Sequence, residues 1–521
     1  MTASLNNPSL RASWRNELPA SIAVFLVALP LSLGIALASG APLAAGIVSG
    51  VVGGIVVGAL SNSPLMVSGP AAGLTAIVLA SIATLGSFQQ FLTAVVLGGL
   101  MQIGFSLARA GIIGYYFPSA VIKGMLAGIG LILILKQIPH AVGLDADFEG
   151  DESFLQSNAD NTFSALLHML SQIQLGAVII AGASLLVMAV WSNTRLRRVR
   201  LLPASLVVVL LGIGLNALFG AYVPDLAIRT SHLVQLPIGR ADGYLLGLFT
   251  FPDFGVLLSG DTWRIAATIA VVASLESLLT LEATDKMDPY KRESDTNREL
   301  LAQGVGNTIA GLLGGLPVTG VVVRSAANVD AGARTRWSTM MHGVLLLLAV
   351  LAIPMLLNRI PLCAIAAILL YTGYRLASPE LFKTSWSLGR AQFVPFVVTV
   401  VAIVFTNLLV GVAFGLFVAG FFILAEYLRQ PALRLVSPDG AVLKRYRLPD
   451  QATFLNKANI ERTLSALPEG SRVEIDGSNT GRFDYDVLEA LHEFTETARL
   501  RNIDYRLVNV PPARTTPTHS Y

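Results

Sequence analysis

Eleven apolar runs, each near the roughly 20 residues a helix needs to cross a bilayer, dominate this chain: about 19–39, 41–60, 88–108, 118–137, 173–191, 202–220, 262–281, 338–357, 360–376, 391–409 and 411–428. In lipid such a chain can satisfy its backbone only as a bundle of helices. Three further segments, 64–86, 299–314 and 316–334, are apolar but irregular, and with them the count reaches about fourteen. Charged residues make up 13% of the 521, against about 25% in an ordinary soluble domain, and mean hydropathy is +0.65. The reading is a mainly α, multi-pass membrane protein.

Lysine and arginine set its orientation. With the N-terminus inside, the inside segments hold Arg11, Arg15, Arg109, the run RLRRVR (195–200), Lys286, Lys291, Arg292, Arg334, Arg336, Lys383, Arg390 and Arg429. The outside loop from Pro139 to about Gln172 has neither lysine nor arginine, but carries Asp145, Asp147, Glu149, Asp151, Glu152 and Asp160. It reads as a solvated acidic loop. This alternation closes only if 64–86 and 316–334 both cross, and it places both termini in the cytoplasm. The start is polar, then apolar, with no small-residue cleavage site. It reads as a retained first span.

Residues 1–18 form the N-terminal segment and 19–430 the membrane domain. From about Leu435 the chain reads as a soluble α/β unit (435–510). SRVEIDGSN and DYRLVNV look like strands, and YDVLEALHEFTETARLRN puts Val487, Leu488, Leu491 and Phe494 on one helical face. The tail, 511–521, reads as disordered. A net charge of +3 does not suggest nucleic acid as a partner. The single cysteine, Cys363, leaves no intrachain disulfide or cysteine metal site. The six histidines show no metal-ligand spacing, and His342 reads as a structural or loop-edge residue opening a span. Gly50, Gly54 and Gly58, and the glycines of GVGNTIAG (304–311), read as close helix packing. No nucleophile–base constellation suggests an enzyme.

Two irregular segments occupy matching places. SNSPLMVSGPAAGLTAIV (61–78) is the third crossing of the first seven, and GGLPVTGVVVRSAANV (314–329) the third of the second seven. Each has a short β-like run, PLMV or VTGVVV, then small residues, then a helix-forming run. Pro70 stands where a helix could begin. Paired, interrupted spans in two halves point to an inverted-repeat transporter with its site at the midplane. A helix that starts there leaves N–H groups unsatisfied and about half a positive charge at its N-terminus, which suits an anion. Arg324 sits in the second break, where a cation costs about 2.5–3.5 kcal/mol on insertion scales. An anion beside it offsets that cost; the rival is snorkelling or a structural ion pair. Glu276 is a second charge, in IAATIAVVASLESLLTLEA, and shares a helical face with Ala273, Ser277 and Thr280. A carboxylate with hydroxyls suits a sodium ion or a proton; the rival is a structural partner for Arg324.

SGPAAG (68–73), LESLLTLEATDK (275–286), TNRELLAQGVGNTIAGLLGG (296–315) and VVRSAANVDAGART (322–335), before a small α/β unit, resemble the sulfate permease (SulP) family. That family includes bacterial sulfate, bicarbonate and dicarboxylate transporters and animal anion exchangers such as pendrin and prestin. The resemblance implies a seven-plus-seven inverted repeat of uracil-transporter type with core and gate domains, a cytoplasmic STAS domain, a homodimer and elevator-like alternating access. It implies an anion site at Ser68, Gly69, Ala71 and Ala72 and at Val323, Arg324 and Ser325. It assigns Glu276 to proton or sodium coupling, and Thr280, with Ser277 beside it, to holding sodium. Sodium-binding members have threonine where Ala71 stands, so one ligand is lost. Where Val323 stands animal exchangers often have serine, so backbone N–H groups must do more. Leu31 replaces a glutamine, leaving Ile35 as an apolar lining residue. GSNTGRFDYD (477–486) lacks the serine pair of phosphorylatable relatives. The expectation is a bacterial inner-membrane, lipid-embedded carrier of bicarbonate or sulfate, driven by sodium or protons, with no other cofactor. The alternatives are a C4-dicarboxylate or nucleobase carrier on the same fold, and a non-transporting sensor or channel.

Overall fold

Long apolar runs become helices because only an internal hydrogen-bond ladder satisfies a backbone in lipid, and the computed structural model, which describes residues 10–145, 154, 161–194, 203–236, 249–429, 431–438 and 442–513, follows that rule. The fourteen expected crossings map onto α1 (Leu10–Ala38), α2 (Leu43–Val52), α3 (Thr75–Leu85), α4 (Phe88–Leu107), α5 (Ser119–Ala141), α6 (Leu175–Asn193), α7 (Ala204–Tyr222), α8 (Gly260–Met287), α9 (Thr296–Leu313), α10 (Val322–Asp330), α11 (Trp337–Ala352), α12 (Leu362–Leu376), α13 (Arg390–Phe405) and α14 (Leu408–Arg429). After Val52 the second crossing continues through a π-helical turn, Gly53–Val57, to Leu60. Among the described residues eight helices are long and apolar enough to span a membrane alone, and α3, α6, α11 and α13 are shorter apolar helices.

The two interrupted crossings are α3 and α10. Each is preceded by three residues of strand, β1 (Ser68–Pro70) and β2 (Val318–Gly320), which pair with each other. The extended runs differ from the sequence expectation. PLMV precedes the strand, and Val321–Val323 leave it. A strand persists only where a partner lies opposite, and pairing covers three positions. Pro70 ends a strand and does not begin a helix.

Glycines set how closely the crossings approach. A Cβ at Gly304 of α9 would lie 2.7 Å from Ile103 N and 2.8 Å from Gly99 O of α4; at Gly54 it would meet Gly343 of α11 at 2.7 Å. The packing role read for both glycine series holds. Gly304→Leu is therefore expected to lose the monodisperse peak in detergent size exclusion. Gly104→Leu, where nothing lies within 4 Å of the added Cβ, should keep it.

Most of the acidic loop, including Asp147, Glu149, Asp151, Glu152 and Asp160, lies outside the described residues. Asp145 is not solvated as expected: each carboxylate oxygen meets a histidine Nδ1 at 2.5 Å, His140 at the end of α5 and His232. Burial alone would raise its pKa, but the hydrogen bonds from the two imidazoles outweigh that and hold it below the usual carboxylate range.

A second compact unit covers Gly420–Tyr521. Its sheet joins β3 (Arg434–Leu435), β4 (Leu443–Arg447), β6 (Arg472–Asp476) and β8 (Asp504–Val508) in that order. The last three are parallel, and a two-residue pair, β5 (Gln451–Ala452) and β7 (Arg482–Phe483), lies apart. Helices α15 (Lys457–Ser465) and α16 (Tyr485–Leu500) complete it. Val487, Ala490, Leu491, Phe494 and Ala498 form the buried face of α16, with Leu488 only half-buried. The tail from 514 onward lies outside the described residues.

Candidate functional site

The site is built on the β1–β2 ribbon. It is antiparallel, with Ser68 opposite Gly320, Gly69 opposite Thr319 and Pro70 opposite Val318. Val321 N donates to Val67 O (2.9 Å) and Ala71 N to Pro317 O (3.1 Å), closing the ribbon at both ends. A two-stranded ribbon has two open edges, and inside a membrane each orphan group is costly. Side chains cover the β2 edge. Asn307 of α9 accepts from Val318 N (2.6 Å) and donates to Val318 O (2.9 Å). On α8, Ser277 accepts from Gly320 N (3.2 Å) and Thr280 donates to Gly320 O (3.1 Å). On the β1 edge, the alternation of an antiparallel ladder turns the Pro70 nitrogen outward, and proline has no N–H to leave unpaired.

Both helices leaving the ribbon start without a side-chain cap. The first begins as a 3-10 turn, Ala72–Leu74, after Ala71, and α10 begins after Val321. The N–H groups of Ala72, Gly73, Val322, Val323 and Arg324 meet no backbone acceptor among the described residues. The two starts lie at opposite ends of a ribbon about 7–10 Å long. Two partial positive charges thus stand inside the bundle, one at each end of the ribbon.

Arg324 is wholly buried. Its Nη2 donates to Ser32 of α1 (2.9 Å), while Nε and Nη1 meet no acceptor among the described residues. The guanidinium crosses the face of Gly69, where a Cβ would stand 2.1 Å from Nη1. The hydrogen bond to Ser32 stands in place of the structural carboxylate pair weighed from sequence. Glu276 is also buried, but it lies at the other half-helix: a Cβ on Gly73 would be 3.2 Å from both its oxygens. The first turn of a helix is where a carboxylate is stabilised.

Of the other sequence-expected residues, Ser68 Oγ accepts from Gln303 (2.8 Å). The Ser325 hydroxyl accepts from Val67 N (3.0 Å) and donates to Val321 O (2.8 Å), so it ties α10 to the other strand. Val323 is buried in the main apolar core, and Ile35 belongs to a smaller cluster with Ala71 and Leu74. His342 is not a loop-edge residue; it is fully buried in α11. Sequence reading missed Ser32, Gln303 and Asn307. The last two, with Glu299, recur every four residues along α9, a polar stripe on one helical face.

A cavity of about 670 Å³ opens between α1, α6, α7, α10 and α12. Its lining includes Val27 and Ala327, the latter one turn beyond Arg324, and Arg15, Arg334, Arg375 and Asp330. Arg375 and Asp330 pair at 3.2 Å.

Known proteins share this architecture. The murine Solute Carrier 26 family member A9 anion transporter, solved in the inward-facing state, superposes with a TM-score of 0.66 at 14% identity, covering 97% of this chain and 87% of that one. The protein YvdB of Bacillus subtilis is 28% identical over 407 residues, 78% of this chain and 73% of its own length. The bicarbonate transporter BicA of Synechocystis is 27% identical over 372 residues, 69% of this chain and 60% of its own. Residues 14–399 match the model of the sulfate permease family. With more than half of its length inside that match, the chain belongs to the sulfate permease family.

Proposed function

We propose that the protein is a secondary active transporter of an inorganic anion, bicarbonate or sulfate, working by elevator-type alternating access in a bacterial inner membrane. The observation that carries this reading is the pair of uncapped half-helix starts, Ala72–Gly73 and Val322–Arg324, with the Arg324 charge sealed behind them. Five N–H donors and one cation suit a small oxyanion. Ser68, Gly69, Ala71 and Ala72 line one side, Val323 and Arg324 the other, and Ile35 closes the pocket with apolar surface. The cavity beside α10 is the route to the cytoplasm, because its lining includes Arg15 and Arg334, both inside by the charge rule.

Glu276 is the coupling group, holding a proton or a sodium ion at the first half-helix. Thr280 and Ser277, on the same face of α8, supply further oxygens while bracing Gly320. Both termini are cytoplasmic, the C-terminal unit is a STAS domain, and the protein works as a homodimer. Uptake of labelled bicarbonate and sulfate into proteoliposomes, each under an imposed sodium or proton gradient, tests the reading; no flux of either anion rejects it. Glu276→Gln should leave exchange intact at equal cation concentrations and abolish stimulation by the gradient. Unchanged stimulation would remove Glu276 from coupling.

A further inference from the structure

We propose that Glu299 is a second proton-binding site, joined through Gln303 to Ser68 at the anion pocket, so that losing its proton to the cytoplasm drives release of the anion. This rests on the anion-site reading above.

Glu299 lies in the first turn of α9 and is wholly buried. It is not needed as a cap, because Asp295 already accepts from Asn297 N and Arg298 N at 2.9 and 3.0 Å. Its carboxylate meets the Ser61 hydroxyl and Gln303 Nε2, the latter at 2.8 Å. Among the described residues no cation pairs with it. Arg298, its neighbour on α9, donates to Leu60 O (3.0 Å). Arg336, at the foot of α11, donates to the carbonyls of Ala59 and Ser61 (3.2 and 3.3 Å). On α8, Asp285 accepts from Ser294, and Lys286 pairs with Glu282. Arg109 stands between α4 and α5, in the turn that also carries Tyr115 and Tyr116. Helix α4, the ribbon and the π turn of the second crossing carry no charged side chain there. The two nearby arginines thus hold the carbonyl end of the second crossing and leave Glu299 without a countercharge. A fully buried carboxylate in that position persists by taking a proton.

Gln303 makes the site readable from the anion pocket. Its Nε2 donates both to Glu299 and to Ser68 Oγ, each at 2.8 Å, while its Oε1 is buried with no partner among the described residues. This orientation fits an ionised Glu299. A half-turn of the amide exchanges the two atoms, and Oε1 can then accept from a protonated Glu299 and from the Ser68 hydroxyl. Each charge state of Glu299 therefore has its own orientation of the relay. The sign follows from charge. An ionised carboxylate one side chain away repels an anion more than one hydroxyl hydrogen attracts it, so anion and proton reinforce each other, and the coupling is reciprocal. Ser61, Arg298 and Arg336 place the acid at the arginine-rich, inside end of α9, so its proton exchanges with the cytoplasm.

The test titrates sulfate into the purified full-length protein and follows the carboxylic-acid carbonyl band by infrared difference spectroscopy. Part of the band that sulfate induces should survive Glu276→Gln and vanish in Glu299→Gln, whose amide keeps both contacts. In proteoliposomes the KM for sulfate should rise with internal pH in the parent and stay flat in Glu299→Gln. Ser61→Ala should move the pH midpoint without abolishing uptake. A sulfate-induced thermal shift with a band unchanged in Glu299→Gln overturns this proposal alone. No thermal shift with sulfate or bicarbonate takes down both this proposal and the anion reading.

Discussion

Arg324→Ala is expected to cut uptake at low anion concentration by roughly 30- to 100-fold. The figure follows from Coulomb's law: a unit charge about 6–8 Å from the anion, at an effective dielectric of 20, contributes about 2–3 kcal/mol. Water cannot replace that charge, because Arg324 is fully enclosed by α1, α2 and β1. The loss should appear as a raised KM. Arg324→Lys keeps the charge but loses the fork that reaches Ser32 and spans Gly69. It should fall between the two, and Ser32→Ala should cost less than either. Uptake by Arg324→Ala at the level of the parent would remove the cation from the site.

Asn307→Leu should strongly damage the fold itself. It deletes both bonds to Val318, leaving a buried N–H and a buried C=O unpaired, at about 1–3 kcal/mol each. A total of roughly 2–6 kcal/mol is a large share of the 5–15 kcal/mol that holds a typical protein together. Asn307→Asp keeps an acceptor for Val318 N and loses the donor, so it should lie in between. Thermal unfolding in detergent, followed for all three proteins, orders them. Equal midpoints would mean that the ribbon edge has another partner.

Much of this architecture was legible in the residues. Apolar length located the crossings, and Gly/Pro interruptions marked the two breaks. Those signals survive because they depend on composition along the chain. What lay hidden depends on direction across it. Arg324 reaches Ser32, 292 residues away in sequence, and nothing local says which way so long a side chain turns. Ser277 and Thr280 looked like ion ligands by their spacing, and the structure shows them first as the missing edge of a strand. Glu299, Gln303 and Asn307 were visible as letters within a family motif. Their four-residue rhythm has meaning only once the ribbon is beside them. Asp145 read as a solvated acid because its partner His232 comes from a distant loop.

The ribbon also sets a timetable for synthesis. The Val67 amide waits for the Ser325 hydroxyl, which the ribosome delivers 258 residues later. At 5–20 residues per second that interval is roughly 13–50 s. Throughout it the third crossing has no strand opposite and an unpaired backbone that lipid cannot satisfy. It must shelter in the translocation machinery, at the water interface or against a membrane chaperone until its counterpart emerges. Slowing translation between the two breaks should therefore expose nascent chains to membrane proteases, and a chain cut short before Val318 should be cleared although every crossing it contains is intact.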